Sequence, residues 1–249
     1  AGLEAARVAA ERGHSVTLYE KKGSVGGLLE FANNVKGPHE NLSVLRSYFE
    51  RQMEVLGVNV MLNTEATADI IAEASPDIVI AATGGVRDTL GLSDTAGTKV
   101  VGIDDFMMAD IAEEVVIVGS NVQAIDAAMY LLAQGKHVQV VTPNAASAIG
   151  AGHSFWVKTF TQPNMKALGV RFWPEATVTA VNDGSVTVKT ATGIEQEIAC
   201  GTVVEALDCL PNDNLSTGLS CEVVTVGDAA RPFNIGEAIC SGNAAARAI

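Results

Sequence analysis

Residues 115–142, VVIVGSNVQAIDAAMYLLAQGKHVQVVT, can fold in few ways. The apolar run 115–118 reads as a buried strand, and Gly119-Ser120-Asn121 as a tight turn. Ala124, Ala127, Ala128, Leu131 and Leu132 then recur at helical spacing, and Gly135 stops the helix. Residues 138–141 form a second buried strand. Together they make one β-α-β unit. Its turn stands where the pyrophosphate of a dinucleotide rests on a helix N-terminus.

The chain opens on a second copy of the same unit. If Ala124 is laid on Gly2, then Ala127 and Ala128 fall on Ala5 and Ala6, and Gly135 on Gly13. Val138 and Val140 fall on Val16 and Leu18, and Thr142 on Glu20. The first strand and first two glycines of this copy lie before residue 1, so the expectation is a fragment whose N-terminal strand is missing. Repetition of this kind predicts an α/β chain with two Rossmann-like domains.

A length of 249 residues accommodates two such domains, and 48% hydrophobic content is ample for their cores. A net charge of −13 disfavours nucleic acid and anionic membrane surfaces as partners. No apolar run approaches the roughly 20 residues of a membrane span. Cys200, Cys209, Cys221 and Cys240 form no C-x-x-C pair, which fits reduced thiols and a cytoplasmic location.

In chain order, the first helix covers 2–12 and the next strand 15–19, with Glu20 at its C-terminal end. An acid there can accept hydrogen bonds from both ribose hydroxyls of an adenosine. Residues 21–29 (KKGSVGGLL) form a glycine-rich turn in which Gly26 and Gly27 let backbone N–H groups approach a phosphate. Residues 41–56 read as an amphipathic helix with Leu42, Leu45, Phe49, Met53 and Leu56 on its core face. A strand over 58–62, a helical turn over 67–74 and a buried strand over 77–82 lead to Thr83-Gly84-Gly85.

These motifs resemble the two-dinucleotide-binding-domain flavoproteins. AGLEAARVAAERGHSVTLYEK followed by GGLL, and later GDAARPFNIGEAI, resemble the C-terminal flavin and pyridine-nucleotide region of the 2,4-dienoyl-CoA reductase, enoate reductase and trimethylamine dehydrogenase group. The likeness covers nearly the whole chain. It implies that the second domain is inserted in the first: an FAD (or ADP) domain over 1–110 and 200–249, and an NAD(P)-like domain over 111–199. The stretch 99–110 would be the crossover and 202–207 the returning strand. It also implies that FAD lies along Gly2, Glu20, Lys21, Gly27, Leu28, Ala66, Thr83, Gly84, Gly227 and Asp228. The helix after Asn234 would aim its positive end at the flavin. An FMN- and iron–sulfur-bearing barrel, on a partner region outside this chain, would reduce an enoyl or enoate substrate. The full enzyme is expected to be a homo-oligomer.

Within the inserted domain a loop is expected over 143–152, a helix over 155–168 interrupted at Pro163, and a strand over 170–173. An antiparallel meander follows, with turns at Asn182-Asp183-Gly184 and Gly193. Phe155, Trp156, Phe160, Phe172 and Trp173 are expected in its core. The NAD(P) site is expected at Gly119 and Asn121, with three departures from the usual pattern. Asn121 replaces the glycine that lets backbone meet the pyrophosphate, Thr142 replaces the ribose-binding acid, and 206–208 is Ala-Leu-Asp where Ala-x-Gly is usual. Lys136 is the nearest base along that unit. Either the site is modified and still binds NAD(P)H, or it is relict and the chain is a non-redox ADP-binding structural module. His14, His39, His137 and His153 are dispersed, so no metal site is expected. No acid–base side chain stands out, because hydride and electron chemistry belongs to the cofactors.

Overall fold

The computed structural model describes residues 1–37, 40–215 and 219–249. His39 and the side chain of Trp156, both singled out above, lie outside the described residues. The chain forms two compact units, 1–87 with 209–249 and 88–208, the second inserted in the first.

The first unit begins with α1 (Gly2–Glu11), β1 (Thr17–Tyr19), α2 (Leu28–Lys36), α3 (Leu42–Val55), β2 (Asn59–Met61), α4 (Ala68–Ala74), β3 (Ile78–Ala81) and β4 (Val86–Arg87). The second unit contains β5 (Lys99–Gly102), β6 (Glu114–Val118), α5 (Val122–Ala133), β7 (His137–Val141), α6 (Phe155–Ala167), β8 (Arg171–Trp173), β9 (Ala176–Asn182), β10 (Ser185–Thr190), β11 (Glu195–Ala199) and β12 (Thr202–Glu205). The chain then returns through β13 (Cys209–Leu210), β14 (Glu222–Thr225) and α7 (Ile235–Ala248).

In the first unit β1 pairs in parallel with β2, and β14 in parallel with β3. Ala5, Val8 and Ala9 of α1 pack with Ala246 of α7, while Ala6 packs with Met53 of α3 and Val58. Small residues at helical spacing let these elements come close. Helix α2 is absent from the sequence reading, because the glycine-rich turn that precedes it masks its start at Leu28.

Glu4 of α1 is buried, takes two hydrogen bonds from Arg7, and accepts another from Asn243 Nδ2 of α7 at 2.7 Å. The Arg7 guanidinium holds this carboxyl below its ordinary value of 4.5. A lowered folded value stabilises the fold fully above 4.5, and the contribution is lost as pH falls toward that lowered value. Glu4→Gln should therefore be less stable than wild type at pH 7, and the gap should narrow below pH 4.5. Urea unfolding at pH 7 and pH 4 measures this, and a gap that widens in acid contradicts it.

In the second unit, five parallel strands run in the order β5-β12-β6-β7-β8. The antiparallel meander β9-β10-β11 packs Val178, Val186, Val188 and Ile198 onto Val116, Val118, Val141 and Val203. Residues that exclude water this fully contribute about 1.5–3 kcal/mol each. The crossover and returning strands expected at 99–110 and 202–207 are β5 and β12, and both belong to this sheet. The unit therefore begins at Asp88 and ends at Asp208, outside the bounds read from sequence. Strand order is set by pairing partners far apart in the chain, which local pattern does not record.

Helix α6 runs through Pro163 without a break. The aromatics are a second correction to the sequence reading. Phe155 and Phe160 of α6 are 72% and 62% exposed and are not core, while Phe172 and Trp173 of β8 are half-buried and Trp173 packs against the core of the unit. No helix among the described residues is long and apolar enough to cross a membrane.

Candidate functional site

In the first unit, the expected contact residues lie at strand ends and helix starts. Gly2 opens α1, where an added Cβ would meet the Ala82 Cβ at 3.1 Å, just past β3. That is tighter than ordinary packing, so the glycine sets how closely helix meets strand. Glu20 follows β1 directly. One oxygen, Oε1, accepts the Lys22 N–H at 2.9 Å, and Oε2 has no partner among the described residues. Lys21 is exposed beside it. The Thr64 N–H donates to the Glu20 carbonyl at 2.9 Å, which brings the loop carrying Ala66 against the same strand end.

Gly27, with φ of 56°, forms the N-cap of α2, and Leu28 is the first residue of that helix. Gly26 is also left-handed, at 117°. After β3, the Thr83 hydroxyl donates to the Asn212 carbonyl at 2.9 Å, and Gly84 has φ of 73°. Gly227 follows β14 with φ of 61°; its N–H donates to Ser241 of α7, and a Cβ would press on Ala1 and Ala238. Asp228 accepts the Phe233 N–H through Oδ1 at 3.3 Å. Asn234 caps α7 by accepting the Glu237 N–H at 2.9 Å.

In the second unit, the turn after β6 is tightly specified. Gly119 has φ of 138°, and a Cβ there would collide with the Ala206 carbonyl. Asn121 is the N-cap of α5, and its Oδ1 accepts the Ala124 N–H at 3.0 Å. Its Nδ2 donates to the Ala206 and Leu207 carbonyls at 3.0 and 3.1 Å and lies 3.3 Å from Asp208 Oδ1. The Asn121 carbonyl takes the Ile125 N–H, and Asn121 forms an isolated parallel bridge with Ala151.

Thr142 is fully buried, and its hydroxyl donates to Ser120 Oγ at 3.1 Å. Asn144 Nδ2 donates to the same oxygen at 3.0 Å. The three departures noted in the sequence thus belong to two hydrogen-bonded sets, one on each of the adjacent turn residues Asn121 and Ser120. Asn121 and Asp208 meet directly, and Thr142 braces Ser120.

Two features of this end escaped the sequence reading. The Gly150 N–H donates to the Ser120 carbonyl, so loop 149–154 lies against the turn. His153 Nε2 stands 3.7 Å from Asp126 Oδ1 of α5, and both side chains are nearly buried. A histidine and an acid far apart in sequence carry no local signal of such a meeting. Conversely, Lys136 is bound to the Ile111 carbonyl at 2.9 Å, before β7 begins and so at the opposite end of the sheet from the turn. Among the described residues, no group of three or more His, Cys, Asp or Glu is placed to hold a metal ion. No disulfide joins Cys200, Cys209, Cys221 and Cys240.

Comparison with known proteins agrees with this geometry. Cinnamate reductase of Clostridium sporogenes is 37% identical over 143 residues, covering 57% of this chain and 21% of that protein. A solved 2-naphthoyl-CoA reductase superposes with a TM-score of 0.84 at 31% identity, over 97% of this chain and 37% of that one. Histamine dehydrogenase from Rhizobium sp. 4-9 also gives 0.84, at 23% identity, over 100% of this chain and 42% of that one, and supports the fold alone. The chain spans from about a fifth to two-fifths of the length of these proteins. A family model described as pyridine nucleotide-disulphide oxidoreductase matches residues 1–228. The chain is a flavin oxidoreductase module of the enoate-reductase-like kind, and it belongs to the pyridine nucleotide-disulphide oxidoreductase family.

Proposed function

We propose that this chain is the electron-entry module of a larger flavoenzyme. It takes electrons from NAD(P)H through FAD to a partner region that bears FMN and an iron–sulfur cluster and reduces an enoyl or enoate double bond. When bound, FAD supplies a carrier that accepts two electrons and releases them singly.

The residues of the first unit fit that group. The free oxygen of Glu20 suits a ribose hydroxyl, and the left-handed Gly26 and Gly27 open the backbone to a phosphate. Gly2 and Gly227 stand where a side chain would push the helices away. Lys21, Leu28, Ala66, Thr83 and Gly84 flank the same ends, and the capped start of α7 offers positive helix-end charge. Asp228 is left to accept a hydroxyl through Oδ2.

One observation carries the redox reading: the braced turn at Gly119-Ser120-Asn121. Asn121 replaces a glycine, yet its side chain is spent on the helix cap and on the Ala206 and Leu207 carbonyls. With that side chain tied back, the turn keeps its close strand-to-helix geometry without the glycine. The alternative, an ADP-binding structural module, is favoured by the burial of Thr142, which removes the ribose acceptor from that strand end.

The purified chain, saturated with FAD without oxygen, separates the two. Its visible flavin band should bleach on addition of NADH or NADPH. Flavin that neither nucleotide bleaches, or a chain that binds ADP and refuses FAD, supports the structural module instead.

A further inference from the structure

We propose that Lys158 makes the second unit selective for NADPH over NADH by receiving the adenosine 2′-phosphate. This rests on reading that unit as a pyridine-nucleotide site.

The second unit holds six cations: Lys99, Lys136, Lys158, Lys166, Arg171 and Lys189. Its main sheet is wholly parallel, so the strand starts define one pole, and the strand ends, with the Gly119 turn, define the other. Lys99 and Arg171 are the first residues of β5 and β8, and Lys136 immediately precedes β7. Lys166 lies at the far end of α6 over the Phe172 ring, and Lys189 of the meander pairs with Glu195. Lys158 remains. It lies in the first turn of α6, the turn that opens at the strand-end pole. Its ammonium donates to the Ser147 carbonyl at 2.9 Å, and its stem runs past Gly150, which touches the Ser120 carbonyl.

Ser147 belongs to the loop that leaves β7, and the residue at the end of this strand is the one that meets the adenosine ribose in such units. Selection for NADH normally uses an acid there, which binds the ribose diol and repels a phosphate. Here the position is Thr142, fully buried and bonded to Ser120. The next residues, Pro143, Asn144, Ala145, Ala146 and Ser147, carry no charge. Hence no residue from 142 to 147 repels a 2′-phosphate, and one ammonium is tethered beside them. A lysine ammonium has three donors, and the Ser147 carbonyl uses one. Glu175 opposes this assignment. Its N–H donates to the Asn144 carbonyl, and its exposed side chain belongs to the neighbouring turn, whereas Asp126, nearer in sequence, is nearly buried beside His153.

The test uses the full chain with its first unit saturated by FAD, so that nucleotide added later reports the second unit. Dissociation constants are measured for NADH and NADPH, with 2′,5′-ADP and 5′-ADP as competing probes. NADPH should bind at least tenfold more tightly than NADH, and 2′,5′-ADP should compete better than 5′-ADP. Lys158→Met should collapse both ratios toward one, and Lys158→Arg should keep them. Melting temperatures of both variants near that of wild type exclude misfolding as the cause. A preference for NADH overturns the proposal and points to Glu175. Equal affinities overturn it, and so does an NADPH preference that survives in Lys158→Met. Loss of both nucleotides together in Lys158→Met overturns it in favour of a pyrophosphate contact. Failure of wild type to bind any of the four overturns the nucleotide reading of this unit as well.

Discussion

Gly119→Ala should destabilise the second unit by about 3–5 kcal/mol. Two costs add. The backbone at Gly119, with φ of 138°, is a conformation that side chains rarely adopt. The new Cβ would also collide with the Ala206 carbonyl, at the end of a strand paired on both sides. That carbonyl cannot retreat without breaking the Asn121 hydrogen bonds and the close packing of fully buried Val203 and Val204. Gly193→Ala provides the comparison. It also has positive φ, of 84°, but open space around it, so only the backbone cost of about 1 kcal/mol applies. Thermal unfolding should place Gly119→Ala about 10 °C or more below wild type, well below Gly193→Ala. If the two variants melt together, collision with β12 is not what holds the turn.

Glu20→Ala should weaken binding of FAD or ADP on the order of 100-fold while leaving the fold intact. A hydrogen bond to a charged group is worth about 1.5–3 kcal/mol, and the free oxygen of Glu20 is half-exposed, so the lower part of that range is appropriate for each ribose contact. Among the described residues, the side-chain bond that the fold loses is the one from the Lys22 N–H, which water can replace at this exposed turn. Affinity and stability therefore separate at this position. Calorimetric titration with ADP measures the first and chemical unfolding the second. An ADP affinity within threefold of wild type would remove Glu20 from the ribose site.

Much of this organisation was legible without coordinates. Four apolar residues before Gly119 dictated β6, alanines at helical spacing dictated α1 and α5, and Asn234 and Thr67 gave helix starts that the structure caps with those side chains. Gly119 was legible as a tight turn between strand and helix, but the Ala206 carbonyl that would meet a side chain there was not. The exposed Phe155 and Phe160 were misread, because an aromatic residue records its own hydrophobicity and not whether a neighbour covers it. Pro163 was misread as a break, because a helix fixed by its neighbours can carry one missing N–H.

The sequence by itself determined the strand–turn–helix–strand units, their turns and their caps. These depend on residues within about one helical turn of each other, so spacing and residue type suffice. The tertiary structure alone decided that β5 and β12 join the second sheet, and that Asn121 satisfies carbonyls more than eighty residues away. It also decided that Lys158, and not the sequence-adjacent Lys136, stands at the same pole as the Gly119 turn. Each of these depends on which parallel strands pair. That choice is made by burial of the whole unit, and no local pattern encodes it.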